Sequence, residues 1–118
     1  MSTYKLVVSD RIEFDVKFTL NDGGEDKPFG MRLSAQRQLR EQQQEDMAAG
    51  VKVGDFLKER KVALVAWIGK APLADEDGNP VPPSPQALEA LYDLVGGMVD
   101  LVFAGYLLAN GARGKSGN

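Results

Sequence analysis

Polar and apolar positions change their period several times along the chain, and each change predicts an element. From Glu13 to Leu20 they alternate strictly, with Phe14, Val16, Phe18 and Leu20 on one side and Glu13, Asp15, Lys17 and Thr19 on the other. A period of two describes a strand with one buried face. Ahead of it, Tyr4-Lys5-Leu6-Val7-Val8 is rich in strand formers and predicts a short first strand. Asn21-Asp22-Gly23-Gly24 supplies residues that tolerate positive φ, after which Phe29, Met31 and Leu33 alternate with Pro28, Gly30 and Arg32. The pattern predicts a hairpin with a loop over 21–26 and a strand over 27–33, which Pro28 and Gly30 assign to a sheet edge.

Helical spacing takes over at Ser34, a good N-cap for a helix over 35–49 that Gly50 closes. This helix is polar: it holds Gln36, Gln38, Gln42, Gln43 and Gln44, against the apolar Ala35, Leu39, Met47 and Ala48. So thin a stripe suits a peripheral helix or one completed by a partner. Val53, Phe56, Leu57, Ala63, Leu64 and Trp67 recur at helical spacing and predict a helix over 53–67. The run from Val62 to Ile68 fits a strand as well, because short β-branched apolar stretches are ambiguous. Residues 69–83 read as a loop rich in proline and acid. Ser84-Pro85 then marks a helix start, and Ala87, Leu88, Leu91, Leu94 and Val95 form the inward stripe of a helix over 86–95. Gly96-Gly97 breaks it. A last helix over 98–110 ends at Gly111, followed by a small polar tail, 112–118, expected to be disordered. The fold class expected is α+β: an N-terminal β-hairpin or small antiparallel sheet followed by about four helices, in one domain over 1–111.

The last helix carries the most specific expectation. Its apolar residues spread around most of its circumference, and a helix apolar on nearly all sides must be covered on nearly all sides. Core burial is one way to cover it. A partner or oligomer interface is the other, and it singles out Met98, Leu101, Val102, Phe103, Tyr106 and Leu107 as candidate partner-binding residues.

Composition narrows the chemistry. A chain of 118 residues with 43% hydrophobic content holds one ordinary domain. It has no cysteine, which excludes disulfides, thiolate metal sites and cysteine nucleophiles. It has no histidine, which removes the Ser-His-Asp triad and the usual zinc sites. No catalytic, cofactor or metal site is therefore expected. A net charge of −3 speaks against nucleic acid as a partner. The longest apolar stretch is interrupted by Asp100 and is too short to span a bilayer, and no secretion signal is visible, so a soluble protein is expected. Asp75-Glu76-Asp77-Gly78 has glycine at the fourth position, where a calcium loop needs it at the sixth, and so reads as a tight turn. Gly111-Ala112-Arg113-Gly114-Lys115-Ser116 lacks the leading glycine of a phosphate loop, whose position is Ala109. Glu45/Asp46 and Glu89/Asp93 read as solvated helix faces.

One resemblance emerges. Phe56-Leu57-Lys58-Glu59-Arg60 leads to Trp67-Ile68-Gly69, then to the acidic turn at Asp75 and to Pro80. Ser84-Pro85-Gln86-Ala87-Leu88 and an aromatic, small-residue helix around Val102 to Ala109 follow. Together with a hairpin running into Leu33-Ser34-Ala35-Gln36-Arg37, this order resembles the tail assembly chaperones of long-tailed phages and prophages, over roughly 14–110. The resemblance implies a non-enzymatic protein in the bacterial host cytoplasm. It would bind the tape measure protein, with the tail tube protein as a further partner, before the tube polymerises; the homo-oligomer expected rests on the apolar last helix. Many members are also made in a longer, frameshifted form. Another small structural component, such as a tail or head completion protein, is the alternative.

Overall fold

A computed structural model of the chain describes residues 4–112 and 114. The alternating stretch is a strand, β1 (Arg11–Asp22), whose Ile12, Phe14, Val16 and Phe18 are buried while the residues between them are exposed. The chain reverses at Gly23 and Gly24, with φ of 62° and 97°. Positive φ at both central positions lets a two-residue loop match the twist of its strands, so the turn is tighter than the expected 21–26. Asn21 Oδ1 secures it by accepting from the Gly24 amide at 3.2 Å. β2 (Glu25–Gln36) returns antiparallel, placing Ala35, Leu33, Met31 and Phe29 opposite Ile12, Phe14, Val16 and Phe18. A one-residue slip would turn this whole apolar set to solvent, so burial specifies the register. On the opposite face Arg32 Nε donates to Asp15 Oδ1 at 3.0 Å, an exposed pair whose hydrogen bond holds the Asp15 carboxyl below its usual range.

The remaining elements are α1 (Arg40–Ala49), α2 (Val53–Glu59), β3 (Ala63–Ile68), α3 (Pro85–Leu94) and α4 (Met98–Asn110). The class is α+β, as expected, but the strands are not all gathered before the helices. β3 lies between α2 and α3 in sequence and completes a sheet of order β1-β2-β3. The expected helix over 53–67 therefore divides. α2 ends at Glu59, Lys61 adopts φ 55°, and the β-branched run pairs antiparallel with β2 from Gly30 to Ser34.

This pairing makes β2 the central strand, correcting the edge assignment. Proline is tolerated for a local reason. The Gln36 amide donates to Arg60 O on the β3 side and the Arg37 amide to Asp10 O on the β1 side. By strand alternation, Pro28 turns its nitrogen toward the β3 side, and β3 ends opposite Gly30. Gly30 has its own reason: a Cβ there would lie 3.1 Å from Ile68 Cβ.

Three further expectations change. Residues 4–8 form no strand, and Tyr4, Leu6, Val7 and Val8 are exposed. Ser34 caps nothing: it continues β2 between Glu13 and Ala63, and α1 begins only after Leu39. Leu94, expected inward, is 72% exposed. Other signals hold. Gly50 closes α1 at φ 69°, Ser84 Oγ accepts from the Ala87 amide at 3.0 Å, and Gly97 breaks the chain before α4. The acidic run is a tight turn in which Asp75 Oδ1 accepts from the Asp77 and Asn79 amides, at 3.0 and 2.9 Å. Trp67 Nε1 donates to Val81 O at 2.7 Å and ties the long loop to β3. Most of the tail, and with it the phosphate-loop-like Arg113, Lys115 and Ser116, lies outside the described residues.

The core forms where helices cover the inner sheet face: α4 packs on β1, α3 on β3, and α2 and α3 against α4. Met31, Leu33, Leu91, Met98, Val102 and Tyr106 are completely buried there. α4 approaches β1 closely enough that a Cβ on Gly105 would sit 3.0 Å from Phe14 Cδ2 and 3.3 Å from Val16 Cγ2. Gly105→Val is accordingly expected to overpack this crossing and destabilise the protein by about 1–3 kcal/mol, offsetting any gain in helix propensity. Urea unfolding followed by circular dichroism measures it, and an unchanged midpoint would mean that α4 can lift off β1 without loss.

Candidate functional site

The six residues singled out on the last helix fall on two sides of it. Met98, Val102 and Tyr106 are fully buried, so in this conformation they belong to the core and no partner touches them. Leu101 is exposed, and Phe103 and Leu107 are half-buried. Phe103 is held by Phe56 of α2, with ring centroids 5.3 Å apart at 89°. Phe56 in turn meets Tyr106 edge-on at 5.3 Å and 79°. Such T-shaped contacts match ring edges to ring faces and set orientation as well as burial.

Phe103 and Leu107 form one wall of an apolar groove. Val51, Val53, Phe56 and, from α1, Met47 line it with them, and Gln43 and Asp46 are its polar members. The groove encloses about 110 Å³, close to the liquid volume of four waters and hence the scale of one aliphatic side chain. Met47 is 75% exposed. The sequence pattern pointed to Phe103 and Leu107 but not to Met47, Val51, Val53 or Phe56 as their neighbours. A signal was present in α1, where Met47 is a large apolar side chain in an otherwise polar helix.

α1 reaches this position through polar contacts, since none of its residues is buried. The connector Gln38 is gripped by α4: its amide donates to Asn110 Oδ1 at 2.8 Å, and Asn110 Nδ2 donates to Gln38 O at 3.0 Å. The asparagine side chain thereby pairs with the connector as a second strand would. The Tyr106 hydroxyl donates to Gln36 O at 2.9 Å, and Gln38 Nε2 donates to Asp46 Oδ2 at 2.6 Å, joining connector to helix. Asp46 therefore has a structural role, while Glu45, Glu89 and Asp93 are exposed. Among the described residues no group of three acids could hold a metal ion, and no helix is long and apolar enough to cross a membrane.

Two tyrosine hydroxyls contrast. Burial is the leading cause that pushes both Tyr92 and Tyr106 up to about 12, with the Glu89 carboxylate adding to the rise at Tyr92. Tyr106 has its carbonyl partner, whereas the buried Tyr92 hydroxyl has none among the described residues. No family model, curated protein or solved structure matches the chain.

Tyr106→Phe is expected to cost about 1 kcal/mol by leaving Gln36 O unsatisfied, while Tyr92→Phe is expected to be neutral or slightly stabilising. Thermal or urea unfolding of the two variants separates these outcomes. Both tyrosines lose protons less readily folded than unfolded, so their contribution is full below about pH 10. It is lost as pH rises toward 12, because the unfolded chain then releases protons that the folded one keeps. Phenolate absorbance of the folded protein should show two tyrosines titrating late. Two ordinary transitions would contradict their burial.

Proposed function

We propose that the chain is a non-enzymatic protein-binding protein that receives an apolar segment in the α1–α2–α4 groove, acting as a phage tail assembly chaperone. The observation that carries the binding reading is the apolar groove that Phe103 and Leu107 line together with the exposed Met47. A methionine there suits a surface that accepts varied apolar side chains, because its unbranched thioether adapts to different shapes. α1 buries none of its own residues, so little packing is lost if it shifts to admit a longer segment.

The partner proposed is the tape measure protein, a long apolar chain that needs cover before tube subunits, themselves a candidate partner, enclose it. This identification rests on the order of residues that resembles the family, and it places the protein in the cytoplasm of a bacterial host. The groove supports a reading of apolar side-chain capture, and the resemblance names whose side chains they are. A tail or head completion protein is the alternative.

Co-expression with the tape measure protein of the same genome tests the reading. The wild-type chain is expected to co-purify with it and keep it in the soluble fraction. Phe103→Asp combined with Leu107→Asp should reduce recovery tenfold or more, about 1.4 kcal/mol or greater, with α4 still folded by circular dichroism. A wild-type chain that leaves the tape measure protein insoluble would favour the completion-protein alternative. Equal recovery with the double variant would move the binding surface elsewhere.

A further inference from the structure

β1 ends the sheet with a long free edge. Because the Arg37 amide bonds to Asp10 O on the β1 side, alternation assigns the ladder bonds of β1 to Ile12, Phe14, Val16 and Phe18. The amides and carbonyls of Glu13, Asp15, Lys17 and Thr19 then face away from β2, as do those of Arg11, whose amide is already taken by Ser9 Oγ at 3.0 Å. A row of this kind is a template for another strand unless something covers it. In this chain no strand lies beyond β1 among the described residues. Beside the edge, Gly105, Leu108 and Ala109 of α4 form with Glu13, Phe14 and Asp15 an open concavity of about 400 Å³. The α4 face turned toward it continues through Leu101, Ala104 and Leu108, all exposed, with Leu108 at 62%. Free edge and apolar helix face thus adjoin.

We infer that this edge and stripe form a two-fold interface with a second copy of the chain, β1 pairing antiparallel with β1 and α4 packing on α4. The side chains of the edge select the occupant and the register. α4 crosses β1 at Phe14 and Val16, the residues nearest Gly105, so a two-fold axis that joins both elements passes close to them. Centring the pairing on Phe14 would set Glu13 against Asp15 and Arg11 against Lys17, two clashes of like charge. Centring it on Asp15 would set Glu13 opposite Lys17 twice but force the Asp15 carboxylate against its own copy on the axis itself. Centring it on Val16 sets each Asp15 opposite Lys17 of the second copy, twice over, with Glu13 opposite Thr19. No like charges face at these edge positions, and the pairing of Asp10 with Asp22 falls at the far ends, where Asp22 is already matched by Lys27 at 2.7 Å. Both Asp15 and Lys17 side chains are exposed in the single chain, and Asp15, whose Oδ1 accepts from Arg32 Nε, keeps its second carboxylate oxygen to meet Lys17 across the axis. The helix crossing limits the axis to the stretch from Phe14 to Val16, and within it the charges of the edge are self-complementary when Val16 is the centre. The interface is isologous and therefore closes as a dimer with a continuous six-stranded sheet, three strands from each copy. It uses a side of α4 other than that of Phe103 and Leu107, leaves the apolar groove open, and does not depend on what the groove binds.

Sedimentation equilibrium over a range of protein concentrations tests the inference, with charge swaps as the control. Wild type is expected to be a dimer. Lys17→Asp sets a new carboxylate against Asp15 of the second copy, and Asp15→Lys sets a new ammonium against Lys17. Reversing two facing pairs should raise the dissociation constant of either variant by about tenfold or more. An equimolar mixture restores an oppositely charged partner at both positions and should recover the dimer mass, an outcome that misfolding of either variant cannot produce. A second variant on the stripe, Leu108→Glu, should weaken association without altering the far-ultraviolet spectrum. A wild type that stays monomeric overturns the inference. So does a Lys17→Asp variant that dimerises as tightly as wild type, or a mixture that stays monomeric.

Discussion

The seating of α4 across β1 is the constraint on which the other elements depend. It is close because Gly105 presents no side chain to Phe14 and Val16. It is oriented because Tyr106, completely buried, points its hydroxyl at Gln36 O, and because Asn110 pairs with the Gln38 backbone. These bonds join the last helix to the exit of the second strand, across 70 or more residues of sequence. Loop closure over such a span is entropically costly and must be offset by the burial it permits. Once α4 is seated, Phe56 has a ring to pack against, α2 has a position, and the chain after α2 is delivered to the open side of β2.

Polar satisfaction around this seat is uneven. Asn110 saturates the Gln38 backbone, yet Gln38 Oε1 is buried without a partner among the described residues, as is the Tyr92 hydroxyl. Each such group costs on the order of 1–3 kcal/mol relative to a satisfied one. Gln38 is kept in place by its other contacts, to Asn110 and Asp46, which hold α1 over the groove. α1 itself adds little to the core. Its N-cap, Leu39, offers no side-chain acceptor to the first helical amides, and no α1 residue is buried. The helix is best understood as a wall for the groove, positioned by a polar tether.

α4 accordingly serves on three sides. One side, Met98, Val102 and Tyr106, fills the core. A second, Phe103 and Leu107, lines the groove, and a third, Leu101, Ala104 and Leu108, lies beside the free edge of β1. The chain itself covers the first side fully, the second in part through Phe56, and the third least. That division explains why the apolar pattern of this helix has no clean stripe.

The sequence by itself determined those features whose physics is local. Strict alternation from Phe14 to Leu20 could only be a one-sided strand, Ser84-Pro85 could only begin a helix, and Gly50 and Gly97 ended or separated elements through positive φ. The boundaries of α4 were legible because glycines bracket it. The missing histidine and cysteine likewise limited the chemistry before any fold was known. Tertiary structure decided what depended on an available neighbour. Ala63 to Ile68 became a strand because β2 had an unfilled side and Gly30 left room for Ile68. Ser34 stayed in a strand because ladders on both sides outweighed its preference for a cap, while residues 4–8, with the propensity but no such ladder, stayed out of the sheet. Which faces of α4 point inward was decided in the same way, since composition gives a helix its apolar residues but only its crossing with β1 chooses which of them water still reaches.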